Sequence, residues 1–267
     1  MKKFVQISAP RTGSNMICES INICDRISVK YEIFHDKAFI IKELAQEIVK
    51  KNKCVDRKAL QFCRDLAKIN KESKWDKKGI FSEQCPAEFI NEYASCMNLE
   101  NFYFKVFPGH LPQSQIKKIV KTMDGVIFTE RTVLDSYISY EKAQTNNLWS
   151  NQDTSGIKIK FDKNRYEWFK DKFIKPKNEI KDFVEINKIP FLIIDYDEVP
   201  KESTSMQVDW IKSAVSRAFD LELGEVCLEN RFFVKQDKTK YYFEKFKNPK
   251  KFRQYYNEVI IHELDKK

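Results

Sequence analysis

A nearly continuous apolar run at residues 190–196, Pro-Phe-Leu-Ile-Ile-Asp-Tyr, constrains the fold more than any other feature of the sequence. Such a run lacks the alternation of a half-solvated strand and is typical of a strand buried on both faces of a parallel sheet. Shorter strand-like runs precede it at residues 4–7, 27–34, 102–107 and 125–128. Because parallel neighbours require a crossover connection, the sequence predicts helices between these strands.

Helical periodicity fills the stretches between the strand-like runs. Apolar residues at helical spacing occur at 16–24, at 115–123, from about Thr132 onward and at 206–221. Residues 37–100 are helical in pattern but polar, which predicts a helical insertion or substrate-side layer, and residues 145–165 are predicted to form a loop. The sequence therefore predicts one domain over residues 1–267, a three-layer α/β fold with a mostly parallel sheet flanked by helices.

Three turns are expected at one rim of this sheet. Parallel α/β sheets bind ligands beyond the carboxyl ends of their strands, because the connecting loops collect there. The turn at 8–15 follows the first strand, the turn at His110 follows the strand at 102–107, and the turn at Glu130-Arg131 follows the strand at 125–128. A binding site is therefore predicted where these turns meet.

The first of these turns has the composition of an anion-binding loop. A strand that feeds a tight turn and then a helix directs free backbone N–H groups and the positive end of the helix dipole at one point. Arg11 adds a fixed positive charge, and Gly13 allows a close backbone approach or a positive φ. Beside Pro10, side-chain donors are available from Thr12, Ser14 and Asn15. The nucleoside-triphosphate loop Gly-x-x-x-x-Gly-Lys-Ser/Thr is not present, which weakens a kinase or ATPase interpretation.

The segment Pro10-Arg11-Thr12-Gly13-Ser14 resembles the 5′-phosphosulfate loop of sulfotransferases that use 3′-phosphoadenosine-5′-phosphosulfate (PAPS) as donor. That family pairs the loop with a strand ending in Arg and a helix carrying Ser eight residues later. Arg131 and Ser139 stand at those positions here, so the resemblance implies that they bind the 3′-phosphate. It also implies a P-loop-like version of the α/β fold, PAPS as sulfuryl donor, the bisphosphate PAP as product and no required metal.

Later stretches extend the resemblance to about Asn248. Residues 193–199 are similar to the family's late strand. Lys235-Gln236 is similar to a terminal segment that helps to close over the cofactor in bacterial carbohydrate- and lipopolysaccharide-type enzymes. Met16 stands where the cytosolic branch has the Trp that stacks on adenine, and the Arg-Lys-Gly motif of that branch is absent. The adenine contact must therefore come from elsewhere, and residues 37–100 stay unmatched.

Four residues are candidates for the chemistry of sulfuryl transfer. Arg11 is expected to stabilise the leaving phosphate, with Lys105 assisting, since such a displacement depends on positioning and charge neutralisation. Glu32 lies in Tyr-Glu-Ile-Phe-His, which resembles the Gly-Glu-Ile-Phe-His segment of the carbohydrate-sulfating branch, where the Glu is the base. His110 lies in a segment that resembles the Lys-Thr-His-Leu-Pro of the cytosolic branch. Histidine has the ordinary pKa that suits a general base better, whereas a Glu would need burial to raise its pKa. Because each residue resembles the base of a different branch, both candidates stay open.

The charge of the chain bears on its partners. Lys and Arg number 48 against 39 Asp and Glu, a net charge of +9 with a pI near 9.0, which favours an anionic partner. The basic, aromatic region from Arg231 to Lys267 supports a second hypothesis, a nucleic-acid-binding protein, although nucleic acid is not the favoured partner. The branch resemblance implies a small-molecule or glycan acceptor, with a carbohydrate or glycolipid as the first expectation.

The cysteines and the apolar segments bear on metal binding and location. Seven scattered cysteines without a Cys-x-x-Cys pair support neither a disulfide framework nor a zinc site. No His, Cys or Asp cluster has metal-ligand spacing in the sequence. Because no secretory signal and no apolar stretch of about 18 residues is recognisable, the sequence predicts a cytoplasmic enzyme.

Overall fold

The computed structural model of the protein describes residues 1–35, 39–51, 61, 64, 86–147, 149, 153–226 and 241–257. Within them one sheet is formed by the strands β1 (Lys2–Ser8), β2 (Ser28–Lys30), β3 (Asn101–Val106), β4 (Gly125–Glu130) and β5 (Phe191–Asp195). Every pairing is parallel, and the strand order is β2-β3-β1-β4-β5. The first strand is therefore central, and its C-terminal end lies in the middle of the rim where the loops collect.

Helices connect these strands. The α-helices of the described residues are α1 (Ser14–Asn22), α2 (Phe39–Lys51), α3 (Pro86–Met97), α4 (Gln113–Val120), α5 (Val133–Asn146), α6 (Lys163–Phe169), α7 (Lys175–Ile186), α8 (Thr204–Phe219) and α9 (Pro249–Tyr255). A π-helical turn, Lys170–Ile174, joins α6 to α7, and a 3₁₀ turn, Tyr242–Lys245, precedes α9. The loop predicted at residues 145–165 corresponds to the connection between α5 and α6.

The sheet separates two helical layers, because successive side chains of a strand point to opposite faces. Val5 and Ile7 of β1 join an apolar core with α2, α3, α4 and α7. Phe4 of β1 and Ile127 of β4 join the core on the other face with α1 and α8. A third, aromatic core is formed by α5, α6 and α9. The predicted three-layer α/β architecture is confirmed, with the P-loop-like arrangement of a central parallel strand, a tight loop and a helix.

Strand β5 lies at the edge of the sheet, so the expectation of a strand buried on both faces was wrong. Phe191 and Ile193 are 36% and 37% exposed, whereas Ile194 is fully buried. Leu192 and Ile194 pack toward the core that contains α8, while Phe191 and Ile193 on the opposite face are only partly covered. An apolar run predicts a strand but does not distinguish a central position from an edge position.

The expected strand at residues 27–34 is shorter in the structure. Only Ser28–Lys30 pair with β3. The chain then turns, and the His35 amide donates a 3.0 Å hydrogen bond to the Glu32 carbonyl oxygen. Glu32 lies in this turn, beside Lys105 at the end of β3.

The segment expected to form a helical insertion contributes directly to the main core. Leu44 and Ile48 of α2 and Phe89 and Tyr93 of α3 belong to the same buried cluster as the central strand β1. The described helices of this segment therefore cover one face of the sheet. Residues 52–60 and 65–85 lie outside the described residues.

Aromatic side chains of the C-terminal region pack inward. Phe246, Phe252 and Tyr255 are at most 5% exposed and join the aromatic core, whereas Tyr241 is 58% exposed. Rings that fill a core cannot stack on bases, so these three rings do not supply the stacking surface that the nucleic-acid hypothesis requires. Among the described helices, none combines the length and the apolar character that a bilayer crossing requires.

Candidate functional site

The loop between β1 and α1 has a backbone geometry suited to an anion. Arg11 and Gly13 both have positive φ, 69° and 80°, and they turn the chain sharply between Ser8 and Ser14. Gly13 is the N-cap residue of α1 and has no side chain with which to cap the helix. The first N–H groups of α1 and the positive end of its dipole therefore face the rim of the sheet.

Thr12 anchors this loop through its hydroxyl, contrary to the expectation that the hydroxyl serves a ligand. Its side chain is buried, and Oγ1 donates a 2.9 Å hydrogen bond to the Ala9 carbonyl oxygen. The same oxygen lies 2.7 Å from Thr129 Oγ1 of β4, which donates a 2.6 Å bond to Ser8 Oγ of β1. These contacts hold the loop, with buried Pro10, against the ends of two paired strands.

Lys105 of β3 connects the loop to the acidic side of the site. Its side chain is fully buried, and Nζ lies 3.1 Å from Glu32 Oε1. On the other side Nζ donates to Ser14 Oγ at 3.4 Å and to Asn15 Oδ1. A buried lysine needs such partners, because an unpaired ammonium would be costly to remove from water.

The two candidate bases, Glu32 and His110, lie side by side. His110 Nε2 is 3.7 Å from Glu32 Oε2, and the Phe107 amide donates a 3.3 Å hydrogen bond to His110 Nδ1. The His35 ring lies edge-on to the His110 ring, with centroids 5.5 Å apart. Glu32, His35 and His110 each bring one ligand-type atom within 4.8 Å of the others. The fold thus assembles a cluster that the spacing of these residues in the sequence does not reveal.

Arg11, Arg131 and Ser139 meet on the opposite side of the loop. Arg11 Nε donates a 3.0 Å hydrogen bond to Ser139 Oγ, and Arg11 Nη1 donates to the Trp149 carbonyl oxygen. Arg131 Nη1 donates a 3.1 Å bond to the Arg11 carbonyl oxygen. The structure therefore brings together the three side chains that the motifs predicted to share one anionic ligand.

Tyr196, at the end of β5, covers this pair of arginines and was not predicted as a site residue. The Arg131 guanidinium lies 4.7 Å from the centroid of its ring, a cation–π distance. A Cβ added to Gly13 would overlap Tyr196 Cδ2, so the close approach of this ring requires glycine in the loop. The sequence did offer one signal for this residue, since Tyr196 lies within the run that resembles the family's late strand.

The electrostatics of the site favour an anion. Burial and the nearby Arg131 lower the pKa of Arg11 to about 10, against a smaller raising effect of Tyr196. Among the described residues, Arg131 Nε is a buried donor without a hydrogen-bond partner. Two crowded guanidinium groups and an unused buried N–H together fit a phosphate or sulfate, which can neutralise the charges and accept the hydrogen bond.

Two of the predicted cofactor contacts, and the residue that would stack on adenine, are not located by the structure. Lys235 and Gln236 lie outside the described residues. Met16 lies on the buried side of α1, in the core shared with α8, and presents no free surface for an adenine ring. Trp149, by contrast, is 44% exposed and is tied to Arg11 through its carbonyl oxygen, a neighbourhood that the sequence did not indicate.

Comparisons with known proteins assign the chain to no family. No protein-family model matches the sequence, and no curated protein matches it. Among solved structures, the chain is similar to a deoxyadenosine kinase from M. mycoides with bound dATP. The match covers 80% of this chain and 99% of the kinase at 12% identity, with a TM-score of 0.40. The parallel sheet order and the loop after β1 identify the chain as an α/β protein with a P-loop-like fold.

Proposed function

We propose that the protein is a sulfotransferase that moves a sulfuryl group from PAPS to a hydroxyl or amine of an acceptor. The observation that carries the proposal is the convergence of Arg11, Lys105 and Arg131, from three different strand ends, around the loop between β1 and α1. Three cations beside one helix N-terminus favour a ligand with several negative charges. PAPS has two such groups, a 5′-phosphosulfate and a 3′-phosphate.

The site offers one arm for each of these groups. The backbone amides of the loop, Ser14, Asn15 and Lys105 lie on the side proposed for the 5′-phosphosulfate, and Gly13 lets it approach the backbone. On the other side, Arg131 and Ser139 both contact Arg11 and are proposed to hold the 3′-phosphate. The unpartnered Arg131 Nε supports this assignment, since a phosphate oxygen would satisfy it.

The lysine beside the helix N-terminus comes from a strand and not from the loop, which supports sulfuryl transfer over phosphoryl transfer from a Mg-nucleotide. A nucleoside-triphosphate loop ends in Lys-Ser/Thr, with the lysine on the β- and γ-phosphates and the hydroxyl on magnesium. Here Ser14 directly follows Gly13, and the ammonium beside the helix comes from Lys105 of β3. We therefore rank a kinase function below the sulfotransferase.

Glu32 is the proposed general base. It takes the proton of the acceptor hydroxyl while the acceptor oxygen bonds to sulfur and the bond from sulfur to the bridging phosphate oxygen breaks. Arg11 and Lys105 neutralise the charge that the leaving phosphate gains. Lys105 Nζ already contacts both Glu32 and the loop, so it can shift toward the leaving group with little movement.

Isothermal titration calorimetry with PAP, in the absence of magnesium, tests the cofactor class directly. AMP and Mg-ATP are the comparison ligands, because AMP lacks the 3′-phosphate and Mg-ATP is the donor of a kinase. Selective binding of PAP is the expected result. Binding of Mg-ATP alone would instead support a kinase, and failure of all three ligands to bind would contradict the proposal.

The acceptor class follows from the segment around the base. Tyr31-Glu32-Ile33-Phe34-His35 resembles that of the carbohydrate-sulfating branch, so we propose a carbohydrate or glycolipid hydroxyl. A panel of sugars, glycolipids and phenols, assayed with ³⁵S-labelled PAPS, tests this choice. Transfer of label only to the phenols would contradict it.

A further inference from the structure

His110 is held in one orientation by two hydrogen bonds to Phe107. The His110 amide donates a 3.0 Å bond to the Phe107 carbonyl oxygen, and the Phe107 amide donates a 3.3 Å bond to His110 Nδ1. The two rings also pack against each other, with centroids 5.2 Å apart. The residue is only 9% exposed. The imidazole is therefore fixed by the turn that follows β3.

These hydrogen bonds determine which nitrogen of the ring carries the proton. A neutral imidazole has one N–H donor and one acceptor nitrogen. Nδ1 accepts the Phe107 N–H, so Nε2 must carry the proton. The edge of His110 that faces Glu32 Oε2 is therefore an N–H group and has no lone pair with which to accept a proton.

The distance between His110 Nε2 and Glu32 Oε2 allows one hydroxyl oxygen, placed to one side of both atoms, to hydrogen-bond to each of them. The two atoms are 3.7 Å apart, longer than a hydrogen bond between them. One hydroxyl oxygen can lie about 2.8 Å from both atoms, because a triangle with two such sides closes on a 3.7 Å base. Such an oxygen would accept from His110 and donate to Glu32.

We infer that His110 Nε2–H donates a hydrogen bond to the acceptor oxygen and thereby orients it, while Glu32 alone takes its proton. This inference rests on the proposed function. One lone pair of the acceptor oxygen accepts the His110 N–H, its proton passes to Glu32 Oε2, and the remaining lone pair bonds to sulfur. The bond from sulfur to the phosphate oxygen breaks, and PAP leaves with that electron pair.

The same tautomer bears on the cluster of Glu32, His35 and His110. A metal ion at this cluster would need a lone pair on the His110 nitrogen that faces Glu32, and a metal-bound imidazole usually donates its other N–H. Here the other nitrogen, Nδ1, accepts a hydrogen bond instead. The geometry therefore fits a hydroxyl in this gap better than a metal ion.

Long-range ¹H–¹⁵N correlation NMR of the ¹⁵N-histidine-labelled protein measures the tautomer without substrate. The sequence has three histidines, so His35→Gln and His262→Gln variants assign the His110 signals by elimination. We expect the His110 signals to show a proton on Nε2 and none on Nδ1. A His110 ring protonated on Nδ1 would overturn the inference. PAP calorimetry tests the proposed function separately, so the two can fail independently.

Two substitutions separate a donor from a base. His110→Gln keeps an N–H group but cannot accept a proton, whereas His110→Leu removes the donor. With PAPS and water or a hydroxyl acceptor, we expect His110→Gln to release PAP within about tenfold of wild type. His110→Leu should be about 100-fold slower, the usual effect of losing one catalytic hydrogen-bond donor. Equal loss in both variants, with PAP affinity intact, would identify His110 as the base and overturn the inference.

Discussion

Arg11 Nε donates a 3.0 Å hydrogen bond to Ser139 Oγ, which joins the loop after β1 to the second turn of α5. Arg131, at the end of β4, reaches the same loop through the Arg11 carbonyl oxygen. Two motifs that are far apart in the sequence therefore build one anionic site. Arg11 contacts both Ser139 and Arg131, so it joins the loop after β1 to the residues proposed for the 3′-phosphate.

The first prediction concerns the arm proposed for the 3′-phosphate. Arg131→Ala should weaken PAP about 10- to 100-fold, the effect of losing one or two charged hydrogen bonds. AMP should be affected much less, because it lacks the group that Arg131 holds. Calorimetry with both ligands measures the difference, and Arg217→Ala, an exposed arginine of α8, is the control. Equal weakening of PAP and AMP would argue against a 3′-phosphate contact.

The second prediction concerns the close approach of Tyr196 to the loop. Gly13→Ala should destabilise the protein and abolish PAP binding, because the new Cβ would overlap the Tyr196 ring and the backbone has φ of 80°. Gly109→Ala is the matched control, since Gly109 has φ of 93° but nothing within 4 Å of its Cβ position. Urea denaturation should show a larger loss for Gly13→Ala. Equal losses would mean that backbone strain alone accounts for the effect.

The third prediction concerns the ion pair between Lys105 and Glu32. Their side chains are 0% and 23% exposed, so removing either partner should have unequal effects. Glu32→Gln leaves a buried ammonium without its carboxylate and should cost about 3 kcal/mol, whereas Lys105→Met leaves a carboxylate that water can reach and should cost less. Urea unfolding of both variants measures this order. PAP should restore part of the stability lost in Glu32→Gln only, and the reverse order of losses would contradict the prediction.

Local periodicity was enough to predict most of the sheet and several helices. β1, β3 and β4 overlap the predicted runs at 4–7, 102–107 and 125–128, and α8 begins two residues before its predicted start. Helices α6 and α7 were not predicted, although Tyr166, Phe169 and Phe173 recur at helical spacing. The residues between these rings are mostly polar, so the segment did not have the appearance of a helix that covers the sheet. The rings pack into the aromatic core instead.

The candidate site could be predicted only where a motif is local. The loop around Gly13 and the pair Arg131 and Ser139 were recognised from short spacings. The neighbourhood of Lys105, Glu32 and His110 was not, because a parallel sheet brings together residues from separate crossovers. Which ring nitrogen of a histidine carries the proton depends on such a tertiary contact, so the sequence left the choice of base open.

The last prediction concerns the charge of Arg11. Its pKa is lowered to about 10 from an ordinary 12.5, so the unfolded chain binds more protons between these values and stability rises with pH across that window. At neutral pH the protonated guanidinium is therefore held at a cost, which an anion should relieve. We expect sulfate to raise Tm by a few degrees more than chloride at equal ionic strength.

Arg11→Gln isolates this effect from the general stabilisation by sulfate, which acts on any protein surface. The variant should lose the extra gain in Tm, because it has neither the charge that sulfate neutralises nor the repulsion with Arg131. Arg217→Gln, a change at an exposed position, should keep the gain. Without sulfate, Arg11→Gln should be at least as stable as wild type, since the crowded charge is gone. If sulfate raised Tm equally in all three proteins, Arg11 would not be part of an anion site.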